Sequence, residues 1–179
     1  MNQRIVAFTG ISGVGKTTFL CRLAKLVDFQ HLTGGSLIAA ARQVPSEGRD
    51  AIRYSDLDDN QRLLIEGFIL TRDPNSNLVV IDGHVVIDDG KGLTKISSEI
   101  FRALGVSFMV HLESEPERIA ANRGADTSRS RPTYPSNVLK QHQVISRAHA
   151  QAIADIIDVP FFIVTHKDID QLASLLIAE

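Results

Sequence analysis

The sequence has a single cysteine, Cys21, so no disulfide can form within it. That excludes the disulfide-stapled secreted scaffolds and leads to the expectation of a reducing, cytoplasmic compartment. No apolar run approaches the roughly 18 residues that a membrane span needs, and a membrane is not expected as a partner. Met1-Asn2-Gln3-Arg4 leads into a short apolar run that meets glycine at Gly10, which is not the pattern of a signal peptide. Neither sign of charge is in excess: 19 Lys and Arg stand against 21 Asp and Glu, for a net charge of −2. A nucleic-acid surface rests on clustered excess Lys and Arg, so nucleic acid is not an expected partner either. Internal repeats, low-complexity tracts and dividing linkers are also missing, and residues 1–179 read as one domain.

What is present is ordinary in bulk and specific in detail. Apolar residues make up 44% and charged residues 22%, enough apolar surface for a core and too much for wholesale disorder. Short apolar runs alternate with helical periods. Ile5-Val6-Ala7-Phe8 reads as a buried parallel strand. Thr17 to Asp28 follows with Phe19, Leu20, Leu23, Ala24 and Val27 at helical spacing. Phe29 to Leu32 is a short strand, and Ser36 is placed to cap a helix through Leu37 to Ala41 that Pro45 to Gly48 breaks. Asp59 to Arg72 is helical, Leu78-Val79-Val80-Ile81 is a buried strand ending at Asp82, and Ile96 to Leu104 is helical. Val106 to Leu112 is a strand, and Pro116 suits the first turn of a helix from Glu115 to Asn122. Ser136 to Asp158 is a long helix, Pro160 to Val164 the last strand, and Ile169 to Ile177 the closing helix. Strands separated by helices indicate an α/β fold with a parallel sheet.

Gly10-Ile11-Ser12-Gly13-Val14-Gly15-Lys16-Thr17 matches G-x-x-x-x-G-K-(S/T) in full, between a strand and an amphipathic helix. Its glycines allow a tight turn in which successive N–H groups point at phosphate oxygens. The helix that begins near Gly15 adds the positive end of its dipole. Lys16 supplies a mobile charge to the β- and γ-phosphates, the Thr17 hydroxyl would ligate Mg²⁺, and Thr18 completes the loop's exit. Asp82 closes a four-residue apolar strand, the second nucleotide motif, which holds Mg²⁺ directly or through water.

Other features narrow the class. A guanine-reading switch would need N-K-x-D, but the matching place reads Thr165-His166-Lys167-Asp168. The D-x-x-G switch is missing too, because Asp82-Gly83-His84-Val85 ends in valine. A large ring ATPase would need a helical lid domain, for which 179 residues leave no room. A small-molecule kinase needs an acceptor site and a basic lid that excludes water. Residues 123–135 suit such a lid: Arg123, Arg129 and Arg131 offer guanidiniums that can clamp a transferring phosphoryl group. Residues 33–73 suit the acceptor side, with Gly35 and Ser36 as small residues near a base or ribose, and Arg49 and Arg53 as charge for an acceptor phosphate.

These residues together resemble the archaeal-type adenylate kinases, a short-lid branch of the P-loop nucleoside monophosphate kinases. The resemblance spans the phosphate loop through Thr18, the segment Gly35-Ser36, and Arg49-Asp50-Ala51-Ile52-Arg53 with Gln61 downstream. It continues through Ile81-Asp82-Gly83-His84, the lid Arg123…Asp126…Arg129-x-Arg131, and His142-Gln143 with Arg147. It implies a three-layer α/β/α fold on a five-stranded parallel sheet, Mg-ATP as donor, AMP as acceptor and a tendency to trimerise. The longer adenylate kinases carry an acid and an arginine where this chain has Gly35 and Ile38, so the acceptor phosphate would fall to Arg53 or Arg49. Two other readings stay open: a kinase of another small acceptor or a 5′-hydroxyl end, and a regulatory or assembly factor with slow ATPase activity.

The remaining polar residues have simpler expectations. His84 lies two positions after Asp82 and suits acceptor positioning. His142 and His149 fall on the helical stripe of Val138, Ile145, Ala152 and Ile156 and are expected to pack rather than ligate. Cys21 is expected to pack in the first helix, and Asp88 and Asp89 to be solvated turn residues.

Overall fold

The computed structural model describes residues 3–42, 57–126 and 132–178. Arg49, Arg53, Arg129 and Arg131, with the break at Pro45 to Gly48, lie outside the described residues. Strand β1 (Arg4–Thr9) is apolar on both faces and buried from Ile5 onward, as a strand covered by helices on two sides must be. Strands β2 (Gln30–Thr33), β3 (Leu78–Asp82), β6 (Phe108–Leu112) and β7 (Phe161–Val164) join it in one sheet of order β2-β3-β1-β6-β7. Every pairing in that sheet is parallel. This is the five-stranded parallel sheet that the sequence pattern and the resemblance implied.

The order locates the working edge. From β1 the chain moves to one side through β2 and β3, then crosses to β6 and β7 on the other. In such sheets a crevice opens at the carboxyl ends of the strands where the direction reverses. Phe8 pairs with Asp82 and Thr9 with His111, so the loop after β1 emerges between the ends of β3 and β6.

The helices are α1 (Lys16–Leu23), α2 (Gly34–Arg42), α3 (Leu57–Thr71), α4 (Ser98–Ala103), α5 (Pro116–Ala125), α6 (Ser136–Ile157) and α7 (Ile169–Ile177). Helix α1 is shorter than its apolar spacing suggested. Beyond Leu23 the chain tightens, with the Lys25 and Leu26 N–H groups bonding the Arg22 and Leu23 carbonyls, yet Val27 still reaches the core. Its buried residues are Lys16, Phe19, Leu20 and Leu23, and Cys21, out of phase with them, is exposed rather than packed.

Ser36 does not begin α2. Thr33 precedes the helix and makes a reciprocal pair with Ser36: the Ser36 N–H donates to Thr33 Oγ1, and the Thr33 N–H donates to Ser36 Oγ, each at 3.0 Å. This is capping-box geometry with Ser in the place usually held by Glu or Gln. Helix α4 starts at Ser98 rather than at Ile96, with Ser97 as its cap. The sequence reading lacked the hairpin of β4 (Val86–Asp88) and β5 (Leu93–Lys95), whose tip holds Asp89 and Gly90. On α6 the buried face is Leu139, Gln143, Ser146, Ala150, Ile153 and Ala154. Ile145 and Ile156 are exposed, so the expected stripe is displaced, and His142 and His149 border the buried face.

Candidate active site

One cavity of about 640 Å³ opens at the carboxyl edge of the sheet. Ser12, Gly13, Gly15, Lys16, Thr17, Thr18, Gly35, Asp82, His84 and Arg123 all line it. These expected site residues, up to 111 positions apart, are therefore brought together. Gly10, Val14 and Ser36 are not among the lining residues. Val14 is wholly buried, so it can offer a ligand only its backbone, and the Ser36 hydroxyl is engaged by Thr33.

The loop after β1 turns on glycines for two separate reasons. Gly13 and Gly15 have φ of +88° and +98°, in the region that side chains avoid. An added Cβ at Gly13 would also lie 2.7 Å from Arg123 Cγ, and one at Gly15 would lie 2.8 Å from the His166 ring. No side-chain cap closes the start of α1 at Gly15, the condition under which a helix N-terminus can take an anion.

Lys16 is buried at the loop's end. Its ammonium donates to the Gly10 carbonyl at 2.9 Å, lies 3.4 Å from His84 Nε2, and lies 3.8 Å from the Asp82 carboxylate. His31 Nε2 lies 3.9 Å from the other Asp82 oxygen. Asp82 and the exposed Thr17 hydroxyl put hard oxygen donors on the same cavity, which fits Mg²⁺, an ion held by one or two protein oxygens plus substrate phosphates.

Arg123 belongs to the last turn of α5 rather than to a loop, and it is 8% exposed. Its Nε donates to the Ser12 carbonyl at 2.8 Å, Nη1 donates to the Pro132 carbonyl at 3.2 Å, and Nη1 lies 3.7 Å from Asp88. Asp88, expected to be solvated, is instead half-buried, with its side chain 9% exposed at the centre of a polar cluster. The Tyr134 hydroxyl donates to it at 3.1 Å, and His142 Nδ1 lies 3.9 Å from its second oxygen. Burial pushes the Tyr134 phenol up, and the bond to anionic Asp88 pushes it further. Burial also depresses His142, against the opposing pull of Asp88. The hairpin is what turns Asp88 inward, and no local spacing signals a three-residue strand.

Sequence reasoning also missed His31, Asn60, Arg118 and Asn122 as cavity-lining residues. His166 lay in view as part of a failed guanine motif and as the end of Ile163 to His166, a segment expected to pass the adenine, but not as a support of the loop. Its ring packs edge-on against Phe19 below the phosphate loop, 152 positions from its partner Val14.

This fold and loop define a P-loop enzyme of the kinase type. The family model described as an AAA domain matches residues 9–140, and the chain belongs to that family. The match runs from the end of β1 into α6, so it takes in the loop and both sides of the cavity. The chain is similar to the archaeal adenylate kinases, as its motifs implied. It is 27% identical to the adenylate kinase of Thermoplasma acidophilum over 163 residues, 89% of this chain and 88% of that protein. Identity is 29% over 150 residues with the adenylate kinase of Thermoplasma volcanium, covering 80% of each chain. With that of Methanococcus vannielii it is 24% over 177 residues, 94% and 92% of the two chains. Among solved structures, shikimate kinase from Acinetobacter baumannii in complex with shikimate superposes with a TM-score of 0.64 at 15% identity, over 99% of this chain and 94% of that one. Shikimate kinase from Bacteroides thetaiotaomicron gives 0.61 at 14% identity, over 98% and 99%. Both show the same fold. No helix among the described residues is long and apolar enough to cross a membrane.

Proposed function

We propose that the protein transfers the γ-phosphate of Mg-ATP to a nucleoside monophosphate, AMP first among them. The observation that carries this reading is the continuity of the cavity. The phosphate loop lines one side, Gly34, Gly35, Ile38, Asn60 and Leu64 line the other, and Lys16 and Asp82 line the same space. A donor and an acceptor can therefore share one continuous space. The likeness to adenylate kinases over most of the chain supports the choice of acceptor.

In this reading the loop N–H groups and Lys16 hold the donor phosphates. Thr17 and Asp82 hold Mg²⁺, which when bound supplies charge stabilisation to the transferring group. The acceptor phosphate is already ionised and needs no general base, so His84 acts by position. Arg49 or Arg53 holds the acceptor phosphate, and Arg129 and Arg131 close over the transferring group. The bonds of Arg123 to Ser12 and Pro132 support a role in holding the loop.

A panel of acceptors with Mg-ATP, followed by ADP release and new phosphorylated product, tests the proposal. Rapid ADP formation with AMP is expected, and Lys16→Ala should abolish it. Rapid transfer only to a hydroxyl acceptor, or slow ADP release whatever the acceptor, would replace this reading with one of its rivals.

A further inference from the structure

The carbonyls of the phosphate loop form a series. Gly10 O accepts from Lys16 Nζ, and Ile11 O accepts from the Val14 N–H at 3.2 Å. The next three accept side-chain donors from elsewhere in the chain. Ser12 O takes Arg123 Nε at 2.8 Å, Gly13 O takes Asn122 Nδ2 at 2.9 Å, and Val14 O takes His166 Nε2 at 2.9 Å. Gly15 O then receives the Phe19 N–H and α1 begins.

A trans peptide is planar, so its C=O and the following N–H point in opposite directions. A carbonyl fixed on the protein side therefore fixes the next N–H on the other. Anchoring Ser12 O and Val14 O orients the N–H groups of Gly13 and Gly15, both of which line the cavity, whereas anchoring Gly13 O through Asn122 fixes the peptide whose N–H closes the turn onto Ile11 O. Donors already aimed at an anion cost no reorganisation when it arrives.

We infer that Asn122 and His166, together with Arg123, are positioning residues that preorganise the phosphate loop from its carbonyl side. Asn122 and His166 act through the loop, and the bond of Arg123 to Ser12 does so beside whatever contact its guanidinium makes with the transferring group. The inference rests on the reading of Gly10 to Thr17 as a phosphate site, and it is independent of which acceptor is used. It also gives the ring of His166 two functions: donor to Val14, and floor beneath Gly15, where a Cβ would collide with it.

The test uses the whole chain and two probes, MgADP and inorganic tripolyphosphate, with affinities measured by calorimetry. Asn122→Ala and His166→Phe each remove one donor, and the phenyl ring keeps the packing against Phe19. Each should bind both probes about fivefold to tenfold more weakly, the scale of one hydrogen bond. Equal losses for the two probes place the effect at the phosphates. His166→Gln keeps an N–H donor and should recover most of the affinity. Unchanged MgADP binding in folded Asn122→Ala and His166→Phe overturns the inference. So does a folded His166→Gln as weak as His166→Phe. Loss of the folded state in both donor-deleting variants, seen by thermal melting, overturns it as well, because the bonds would then hold the fold and not the loop. Intact MgADP binding beside failure to phosphorylate AMP would remove the nucleotide-kinase reading and leave this one standing.

Discussion

Thr9 Oγ1 lies 2.8 Å from His111 Nδ1 across the β1–β6 pair, and it also donates to the Val110 carbonyl at 2.9 Å. A hydroxyl has one proton to give. Because Val110 receives it, the ring must donate from Nδ1, which leaves Nε2 bare. That atom is buried with no hydrogen-bond partner. Burial, then the positive charge of Lys16 and of Arg147, depresses His111 to about 4.

The depressed value makes the fold acid-sensitive. The unfolded chain takes up a proton on this side chain near 6.5, whereas the folded one resists until about 4. More protons are bound in the unfolded state between these values, so stability falls as pH falls through this window. The loss amounts to about 3 kcal/mol once pH is below the folded value. Urea unfolding at pH 7 and pH 4.5 should show a smaller difference for His111→Leu than for the native chain. An equal difference would show that another group carries the acid sensitivity.

Asp88 and Tyr134 give a spectroscopic prediction. The chain has no Trp and two Tyr, so phenolate absorbance reports few groups. Asp88→Asn replaces the anion that accepts from Tyr134. Tyr134 should then titrate closer to the ordinary phenol value near 10, and a pH titration of the absorbance reads the shift. No movement of either tyrosine would mean that Asp88 does not hold the phenol.

Gly67 sits where α3 meets α2, and a Cβ there would overlap the Leu37 carbonyl. The obstacle is backbone, which cannot rotate away. Gly67→Ala should therefore destabilise the chain by about 3 kcal/mol or more, despite alanine's better helix propensity. Denaturant unfolding decides the sign; a stabilised variant would show that the two helices can part without cost.

The reciprocal bonds of Thr33 and Ser36 offer a milder test. Thr33→Ala removes the acceptor for the Ser36 N–H and should cost about 1 kcal/mol. Ser36→Ala should cost a similar amount, and the double variant less than the two together, because the bonds form one unit. Additive losses would separate them.

Much of this molecule was legible before any coordinates. The strands at Ile5, Leu78 and Val106 were visible because a parallel strand covered on both faces is apolar at nearly every position. The phosphate loop was visible because its geometry demands glycine, lysine and a hydroxyl at set spacings. Arg123 of α5 was visible as a candidate but not as a helical residue, since Gly124 and the polar stretch after it masked the last turn. Asp88 was misread because two adjacent acids before glycine resemble any exposed turn. Cys21, Ile145 and Ile156 were misplaced because several helical phases fit amphipathic stretches almost equally well.

The sequence by itself determined the class of sheet, the position of the phosphate loop and the acid that ends β3. All three follow from local rules: side-chain period, backbone sterics and the termini of helices and strands. Only the tertiary structure decided that Arg123 and Asn122 grip Ser12 and Gly13, that His166 supports Val14, and that Asp88 turns inward. Those contacts join segments up to 152 residues apart, and they exist because the sheet order sets the end of β1 near α5 and the turn after β7. Periodicity reports which face of an element is buried; it does not report which distant donor will reach a carbonyl.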